Sequence, residues 1–319
     1  MGDAAWVVAL VAGVAAIVWG AESFAEHLSA ASVRLGVSAF ALALLLAGAE
    51  PEELATAVVA AVRKAPAIAL GDVVGANVAA CLVALGVGAL VAPLPFGRRV
   101  RRYALLGIPA GVAAVVFLWD GRVARVEGAV LVALYLAYVG AVWLFERAPP
   151  VLGEAEDLVA AREEQDRGVR ARVGRELVLV VAGVVAMAAG ATLLVEAVRR
   201  IASVESTQTQ LSLTLVGFVT AFELVVLAWS AARRGATEAV VAAVVGSVAY
   251  NATMTLGAAA VVHPLRVVDA SPLHVPAVLM LGAWALVTIV GSLRGRLGRR
   301  DGIAFVALYA AFLAYLLLR

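Results

Sequence analysis

The chain has 319 residues, of which 64% are hydrophobic, and its mean hydropathy of +0.99 is far above what a water-soluble domain needs. We therefore predict a protein that folds within a lipid bilayer. The net charge is only +2, and the basic residues are spread over many short loops, a distribution that sets membrane orientation and argues against nucleic-acid binding.

Apolar runs, separated by charged turns or turns containing Pro and Gly, predict ten membrane-spanning helices in two sets of five. The first set is predicted near residues 4–27, 36–62, 67–91, 103–119 and 124–145. The second set is predicted near residues 176–198, 209–232, 238–262, 274–292 and 302–318. The predicted fold class is therefore all-α, a polytopic membrane protein with ten transmembrane helices.

The two sets of helices divide the chain into three parts. Residues 1–145 form the first five-helix repeat, residues 146–175 a cytoplasmic linker, and residues 176–319 the second five-helix repeat. The linker is the only sizeable polar segment, and it is too short to bury a core of its own. We interpret it as a solvated connection.

The basic residues predict how the helices are oriented. If the N-terminus lies on one side of the membrane, the other side receives 17 of the 25 basic residues, including the Arg98–Arg102 cluster. The positive-inside rule places that other side in the cytoplasm. Both termini are then extracytoplasmic, in a multi-pass protein of the cell (inner) membrane. Because five is an odd number of helices, the second repeat must insert upside down relative to the first.

The two halves carry the same segment twice. At an offset of 171, residues 52–94 align without gaps onto residues 223–265, and Glu52 falls on Glu223. Each copy places a carboxylate midway through an apolar helix, where a charge costs about 2.5–3.5 kcal/mol on insertion scales. An internal repeat that carries an intramembrane acid is typical of an ion or solute transporter.

In the first repeat, the candidate ligands surround a proline. Pro51 is expected to kink the second helix and to free backbone carbonyls, including those around Gly48. Glu50 and Glu52 flank the proline, and carbonyls beside carboxylates suit Ca²⁺, which takes about six to eight oxygen ligands. Asp72 and Asn77 in the third helix are further candidates.

In the second repeat, Thr220 lies about one turn before Glu223 and can supply a hydroxyl oxygen. No proline occurs here, so a kink has to come from Gly217 or be weaker. Ser247 and Asn251 are four residues apart and therefore on one helix face. Both are neutral oxygen donors for Na⁺ or Ca²⁺, and interhelical hydrogen bonding is their alternative role.

These residues resemble the cation/Ca²⁺ exchanger superfamily, which includes the Na⁺/Ca²⁺ exchangers. Its repeats carry a Gly-Thr-Ser-x-Pro-Glu motif and then a Gly-Asn-x-x-Gly-Ser-Asn motif, with an Asn or Asp four residues after the Ser. Pro51-Glu52 and residues 71–77 correspond to these motifs in the first repeat. Glu223 and Gly246-Ser247, with Asn251, correspond to them in the second. The resemblance covers the whole chain and implies two inverted five-helix repeats.

The chain also departs from the family pattern. Gly48-Ala49 replace the Thr-Ser hydroxyls of the first motif, and Ala80 replaces the Asn or Asp of the first repeat. Family members use those oxygens largely for Na⁺, so the resemblance leaves the coupling ion open between Na⁺ and H⁺. Glu50 is an extra carboxylate, able to compensate for a lost ligand or to carry a proton.

The sequence thus predicts a secondary-active antiporter, not an enzyme, that exchanges Ca²⁺ or a similar divalent cation against Na⁺ or H⁺ by alternating access. Glu52 and Glu223 are expected to bind the divalent ion near the midplane. The other candidate ligands are Thr220, Ser247, Asn251, Glu50, Asp72, Asn77, Gly48 and Gly217. The expected partners are inorganic cations and the lipid bilayer, no covalently bound cofactor is expected, and a monomer is compatible with the sequence.

Three alternatives stay open at this point. A drug/metabolite-type exporter also has ten helices in two repeats, but it predicts few midplane acids and cytoplasmic termini. An intramembrane enzyme requires a motif such as His-Glu-x-x-His or paired aspartates, which the sequence lacks. A family member that binds an ion without transporting it is compatible with the substituted ligands.

Overall fold

The computed structural model describes residues 3–34, 50–146, 173–235 and 237–318, which form helices and four two-residue strands. In chain order, the first half contains α1 (Asp3–Arg34), α2 (Pro51–Val62), α3 (Pro66–Ala79), the π-helical segment π1 (Ala80–Ala84), α4 (Leu85–Val91), β1 (Leu94–Pro95), α5 (Arg98–Leu118), β2 (Arg122–Val123) and α6 (Arg125–Glu146). The second half contains α7 (Val173–Ile201), α8 (Glu205–Leu211), π2 (Ser212–Val216), α9 (Gly217–Thr220), α10 (Phe222–Arg233), α11 (Thr237–Tyr250), π3 (Asn251–Thr255), α12 (Leu256–Val262), β3 (Leu265–Arg266), α13 (Ser271–Arg294), β4 (Arg296–Leu297) and α14 (Arg299–Leu318).

The predicted membrane spans are confirmed where the structure describes them. Nine stretches of helix in the described part of the chain are long and apolar enough to cross a bilayer. They match nine of the ten predicted spans, and α2 forms the second half of the remaining one, predicted at 36–62. Residues 35–49, with the candidate ligand Gly48, lie outside the described residues, as do residues 147–172 of the predicted linker.

The secondary structure repeats with the same offset as the sequence. Adding 171 to the bounds of α2, α3, π1, α4 and β1 gives the bounds of α10, α11, π3, α12 and β3 in every case. The π-helical segments, in which the backbone makes wider turns than in an α-helix, coincide as well. The sequence repeat is therefore also a repeat of backbone structure.

Contacts between equivalent elements show that the second repeat is inverted. β1 pairs antiparallel with β4, and β2 pairs antiparallel with β3. β3 is the copy of β1, and β4 has the position in the second repeat that β2 has in the first. One pseudo-twofold rotation therefore places the β1–β4 pair on the β3–β2 pair. The long helices α1 and α7 are also antiparallel, because Gly13 lies against Gly190 and Gly20 lies against Gly183.

The last helix of each repeat begins with the same side-chain cap. Glu127 is the third residue of α6, and its carboxylate accepts the N–H of Ala124 at 2.7 Å. Asp301 is the third residue of α14, and its carboxylate accepts the N–H of Gly298 at 2.9 Å. In each case an acid in the first turn satisfies the N–H of the capping residue, as in one half of a capping box.

Both ends of the chain lie on the same side of the bundle. The Arg200 guanidinium at the end of α7 sits 5.6 Å from the ring centroid of Trp6, near the start of α1. Gln210 lies in α8, shortly after the turn that follows α7. It donates a hydrogen bond to the carbonyl of Leu316 near the end of α14. The chain therefore crosses the membrane an even number of times, which agrees with ten spans.

The centre of the bundle is formed by the spans Pro66–Val91 and Val240–Val262, which are buried on nearly all sides. The α1 and α7 helices instead bury only about a third of their residues. They contact each other through backbone, because a Cβ on Gly190 would lie 2.5 Å from the Gly13 carbonyl oxygen. Small residues allow this close approach between membrane helices.

A methyl group at the α1–α7 contact should force the helices apart. We expect Gly190→Ala to lower the melting temperature of the purified protein by several degrees, because overpacking costs about 1–3 kcal/mol. The matched control is Gly282→Ala, where the added Cβ meets no atom within 4 Å. Thermal unfolding in detergent measures both, and equal melting temperatures for the two variants would contradict the close backbone contact.

Candidate functional site

Each repeat begins a helix immediately before the repeated glutamate. Glu50 precedes α2 with a non-helical backbone (φ −110°, ψ 84°), and Pro51 is the first residue of the helix. A proline is tolerated there because the first N–H of a helix has no partner within that helix. The predicted kink at Pro51 is thus a helix start, and the first turn of α2 contains Glu52. Free N–H groups and the positive end of the helix dipole favour a carboxylate at this point.

The break in the second repeat lies at a different residue from the predicted one. The chain leaves regular helical geometry at Ala221 (φ −76°, ψ −4°), and α10 then begins one residue before Glu223. Gly217, for which a kink was predicted, instead allows α9 to approach α3 closely. A Cβ on Gly217 would lie 2.5 Å from the backbone nitrogen of Ala76. The glycine is therefore required for packing between helices.

Five carboxyl groups act electrostatically on one another around these two helix starts. Glu52 interacts with both Glu50 and Glu223, while Glu53 interacts with Asp72 and also with Glu223. Four of the five are almost fully buried, and Glu223 is partly exposed. Like charges at this depth repel each other strongly, so cations or protons must accompany them.

Neutral oxygens from the second repeat lie among the carboxylates. The Thr220 hydroxyl donates a hydrogen bond to Asp72 Oδ1 at 2.9 Å, which joins the two repeats. Ser247 in α11 faces the carboxyl group of Glu50. Asn251, the first residue of π3, is buried, and its Oδ1 has no hydrogen-bond partner among the described residues.

Several buried carboxylate oxygens also lack a hydrogen-bond donor in the described part of the protein. These are Oε1 of Glu52, both oxygens of Glu53 and Oδ2 of Asp72. Buried acceptors are normally satisfied, and a carboxylate without a donor is costly. A hard cation surrounded by oxygens supplies the missing interaction. The oxygen ligands of this cluster are therefore of the kind that binds a cation.

The other predicted ligands have different contacts. Asn77 donates from Nδ2 to the sulfur of Met280, at 3.4 Å, which directs its amide toward α13. The Gly217 carbonyl accepts the N–H of Ala221 at 3.2 Å. Within residues 3–34, 50–146, 173–235 and 237–318, no three His, Cys, Asp or Glu side chains are arranged to hold a metal by themselves. A cation at this site therefore depends on neutral oxygens as well.

Sequence reasoning missed two buried hydroxyls next to this cluster. Thr56 lies one turn after Glu52 in α2, and Thr255 lies one turn after Asn251 at the end of π3. Both side chains are fully buried. The spacing of four residues from a predicted ligand was the available signal, because it puts two side chains on one helix face.

Comparisons with known proteins agree with this architecture. A model of the family described as sodium/calcium exchanger protein matches residues 5–144 and 175–318. An uncharacterised membrane protein of Methanocaldococcus jannaschii, MJ0091, is 26% identical over 304 residues, which cover 94% of this chain and 91% of that protein. The sodium/calcium exchanger MaX1 of Methanosarcina acetivorans is 36% identical over 87 residues, or 27% of this chain and 25% of that protein.

Solved structures show the same fold. The sodium-calcium exchanger NCX_Mj, in crystals soaked with Na⁺ and Sr²⁺, superposes with a TM-score of 0.60 at 21% identity, covering 98% of this chain and 99% of that one. The structure soaked without Na⁺ and Ca²⁺ gives a TM-score of 0.58 and covers 98% of each chain. The family match extends over both repeats, and the chain is therefore a member of the sodium/calcium exchanger family.

Proposed function

We propose that this protein is a secondary-active antiporter that moves Ca²⁺ across the membrane in exchange for Na⁺. One observation carries the proposal. The two inverted repeats each start a helix beside an acid, and Glu52 and Glu223 from these helices interact within the membrane region. Membership of an exchanger family makes the protein a transporter rather than an enzyme, and it does not favour a drug/metabolite-type exporter.

The proposed divalent site lies between Glu52 and Glu223. Their two negative charges balance the charge of one Ca²⁺, which accepts about six to eight oxygen ligands. Thr220, Ser247 and Asn251 supply neutral oxygens. Glu50 and Asp72 are proposed as additional carboxylate ligands, because they interact with Glu52 and with Thr220, respectively. The sequence suggested three more ligands, Asn77, Gly48 and Gly217, which stay predictions. Asn77 and Gly217 have the other contacts described above, and Gly48 lies outside the described residues.

Exchange follows from the sharing of these carboxylates. Na⁺ and Ca²⁺ compete for the same negative groups, so the site returns across the membrane with one ion or the other. The α1–α7 pair is proposed to slide over the buried centre to open the site to either side, since these helices contact each other through glycine backbone and bury only about a third of their residues. We further propose that the protein works as a monomer in the cell membrane with both termini outside.

A second coupling ion, H⁺, is suggested by one residue. Glu50 precedes α2 at the place where Ala221 precedes α10 in the second repeat. The first repeat therefore has a carboxyl group that the second lacks. A carboxylate in a low-dielectric site can accept a proton instead of a metal ion.

The antiporter proposal predicts Ca²⁺ flux that depends on both repeated glutamates. In proteoliposomes, an imposed Na⁺ gradient should drive Ca²⁺ uptake, and a separate pH gradient tests H⁺ as the coupling ion. We expect Glu52→Gln and Glu223→Gln to abolish the flux, because each removes a charge from the divalent site. Adding Mg²⁺ or Mn²⁺ as competitors measures divalent selectivity.

Glu238→Gln is the matched control for these variants, because Glu238 is exposed at the start of α11. It should transport Ca²⁺ at the wild-type rate. If neither gradient drives a flux that the Glu52 and Glu223 variants abolish, the antiporter proposal is wrong. The protein would then be a family member that binds an ion without transporting it.

The Thr220–Asp72 hydrogen bond should stabilise the contact between the repeats. Thr220→Val removes the donor and leaves a buried carboxylate oxygen unsatisfied, so we expect the free energy of unfolding to fall by about 1.5–3 kcal/mol. Thr220→Ser keeps the hydroxyl and should retain most of the stability. Thermal unfolding in detergent compares the two, and a valine variant as stable as the serine variant would rule out this contribution.

A further inference from the structure

Two buried threonines differ from other threonines in the membrane region. The hydroxyls of Thr56 and Thr255 have no hydrogen-bond partner in the part of the chain that the structure describes, although both side chains are fully buried. Threonines in helices commonly donate to the carbonyl four residues earlier. Four others in this protein do so: Thr209, Thr214, Thr253 and Thr288. A buried hydroxyl without a partner is costly, unless a ligand binds to its oxygen.

Packing of the helices brings α2, which contains Thr56, alongside π3, which ends at Thr255. The start of α2 meets α11, where Ser247 faces Glu50, and α2 also packs against π3 and α12. The helix α2 and the segment from α11 to α12 therefore run in the same direction along this contact. Thr56 in α2 then lies level with π3, which ends at Thr255.

Each threonine follows, by one helical turn, another residue whose oxygen can bind a cation. Glu53 is one turn before Thr56, and both of its carboxylate oxygens lack a hydrogen-bond donor among the described residues. Asn251 is one turn before Thr255, and its Oδ1 is also buried without a described partner. The π-helical turn between them departs from the regular hydrogen-bond pattern, and such turns recur at functional sites.

The pseudo-symmetric positions contain no such donors. At the offset of 171, Thr56 corresponds to Leu227 and Thr255 to Ala84. The hydroxyls therefore belong to one contact between the repeats and are absent from its counterpart. The counterpart contact packs with apolar residues at these positions, so the repeated packing does not require the hydroxyls.

We propose that Glu53, Thr56, Asn251 and Thr255 form an additional Na⁺ site beside the Glu52–Glu223 divalent site. One carboxylate balances one positive charge, and the remaining ligands are neutral oxygens, as suits a monovalent ion. Asn251 belongs to both sets of ligands, so Na⁺ binding withdraws an oxygen from the divalent ion. This inference rests on the proposed exchange of Ca²⁺ against Na⁺ and names the residues that bind its counter-ion.

The test separates the Na⁺ and Ca²⁺ dependences of transport. Thr56→Val and Thr255→Val preserve side-chain shape and remove the hydroxyl. In proteoliposomes, each should raise the Na⁺ concentration for half-maximal Ca²⁺ exchange by about fivefold, the effect of losing one typical polar contact. The Ca²⁺ concentration for half-maximal exchange should stay unchanged. Thr56→Ser should restore the wild-type Na⁺ dependence.

The control variant is Thr288→Val, which also removes a buried hydroxyl, but one that donates to the carbonyl of Trp284 at 2.8 Å. Its Na⁺ dependence should match the wild type. An unchanged Na⁺ dependence in both test variants would overturn the proposed site. An equal rise in the Ca²⁺ half-saturation concentration would overturn it too, because the threonines would then act on the divalent ion.

A binding measurement keeps the inference testable even if the protein exchanges no Ca²⁺. Without Ca²⁺, NaCl should raise the melting temperature of the detergent-solubilised wild type more than KCl does, since a ligand of the folded state stabilises it. Thr56→Val should reduce this difference, and Thr288→Val should keep it unchanged. Absence of Ca²⁺ flux with a retained Na⁺ effect would refute the antiporter alone, and equal effects of NaCl and KCl on the wild type would refute the Na⁺ site.

Discussion

Buried negative charge is the constraint on which the rest of this structure depends. Five carboxyl groups interact at the helix starts around Pro51 and Phe222. The N-terminus of α2 offers about half of a positive charge, which falls well short of the carboxylate total. The close approach of Gly217 to α3 holds the second break against the first repeat. The bundle is thus built to present an excess of negative charge that only mobile positive ions or protons complete.

The sequence predicted the transmembrane pattern well because the bilayer imposes simple rules on length and polarity. The offset of 171 even holds for the π-helical segments, which no residue pattern had indicated. The break at Ala221 was not predictable, since alanine is the best helix former. The roles of Thr56 and Thr255 could not be predicted from the sequence for a related reason. A threonine in a membrane helix ordinarily bonds to its own backbone, and only the structure shows that these two do not.

Divergence between the repeats extends to the site. The backbone bounds of α2 to β1 are copied without change, whereas the side chains that matter for ions are not. Glu50 is matched by Ala221, and Asn251 is matched by Ala80. The first repeat has gained acids, and the second has kept neutral oxygens. Backbone symmetry therefore serves the movement of the protein, and side-chain asymmetry serves the chemistry of the ions.

The inverted repeat has an energetic consequence for such an exchanger. Its outward-open and inward-open states arise when the two repeats trade conformations, so identical repeats would make the two states equal in free energy. Here the repeats differ, because Glu50, Thr56 and Thr255 have apolar counterparts in the opposite repeat, and symmetry therefore does not require equal free energies. An ion bound by residues that only one repeat contains stabilises the two states unequally. Side-chain asymmetry thus acts on the populations of the two states, while the ion gradients set the direction of net transport.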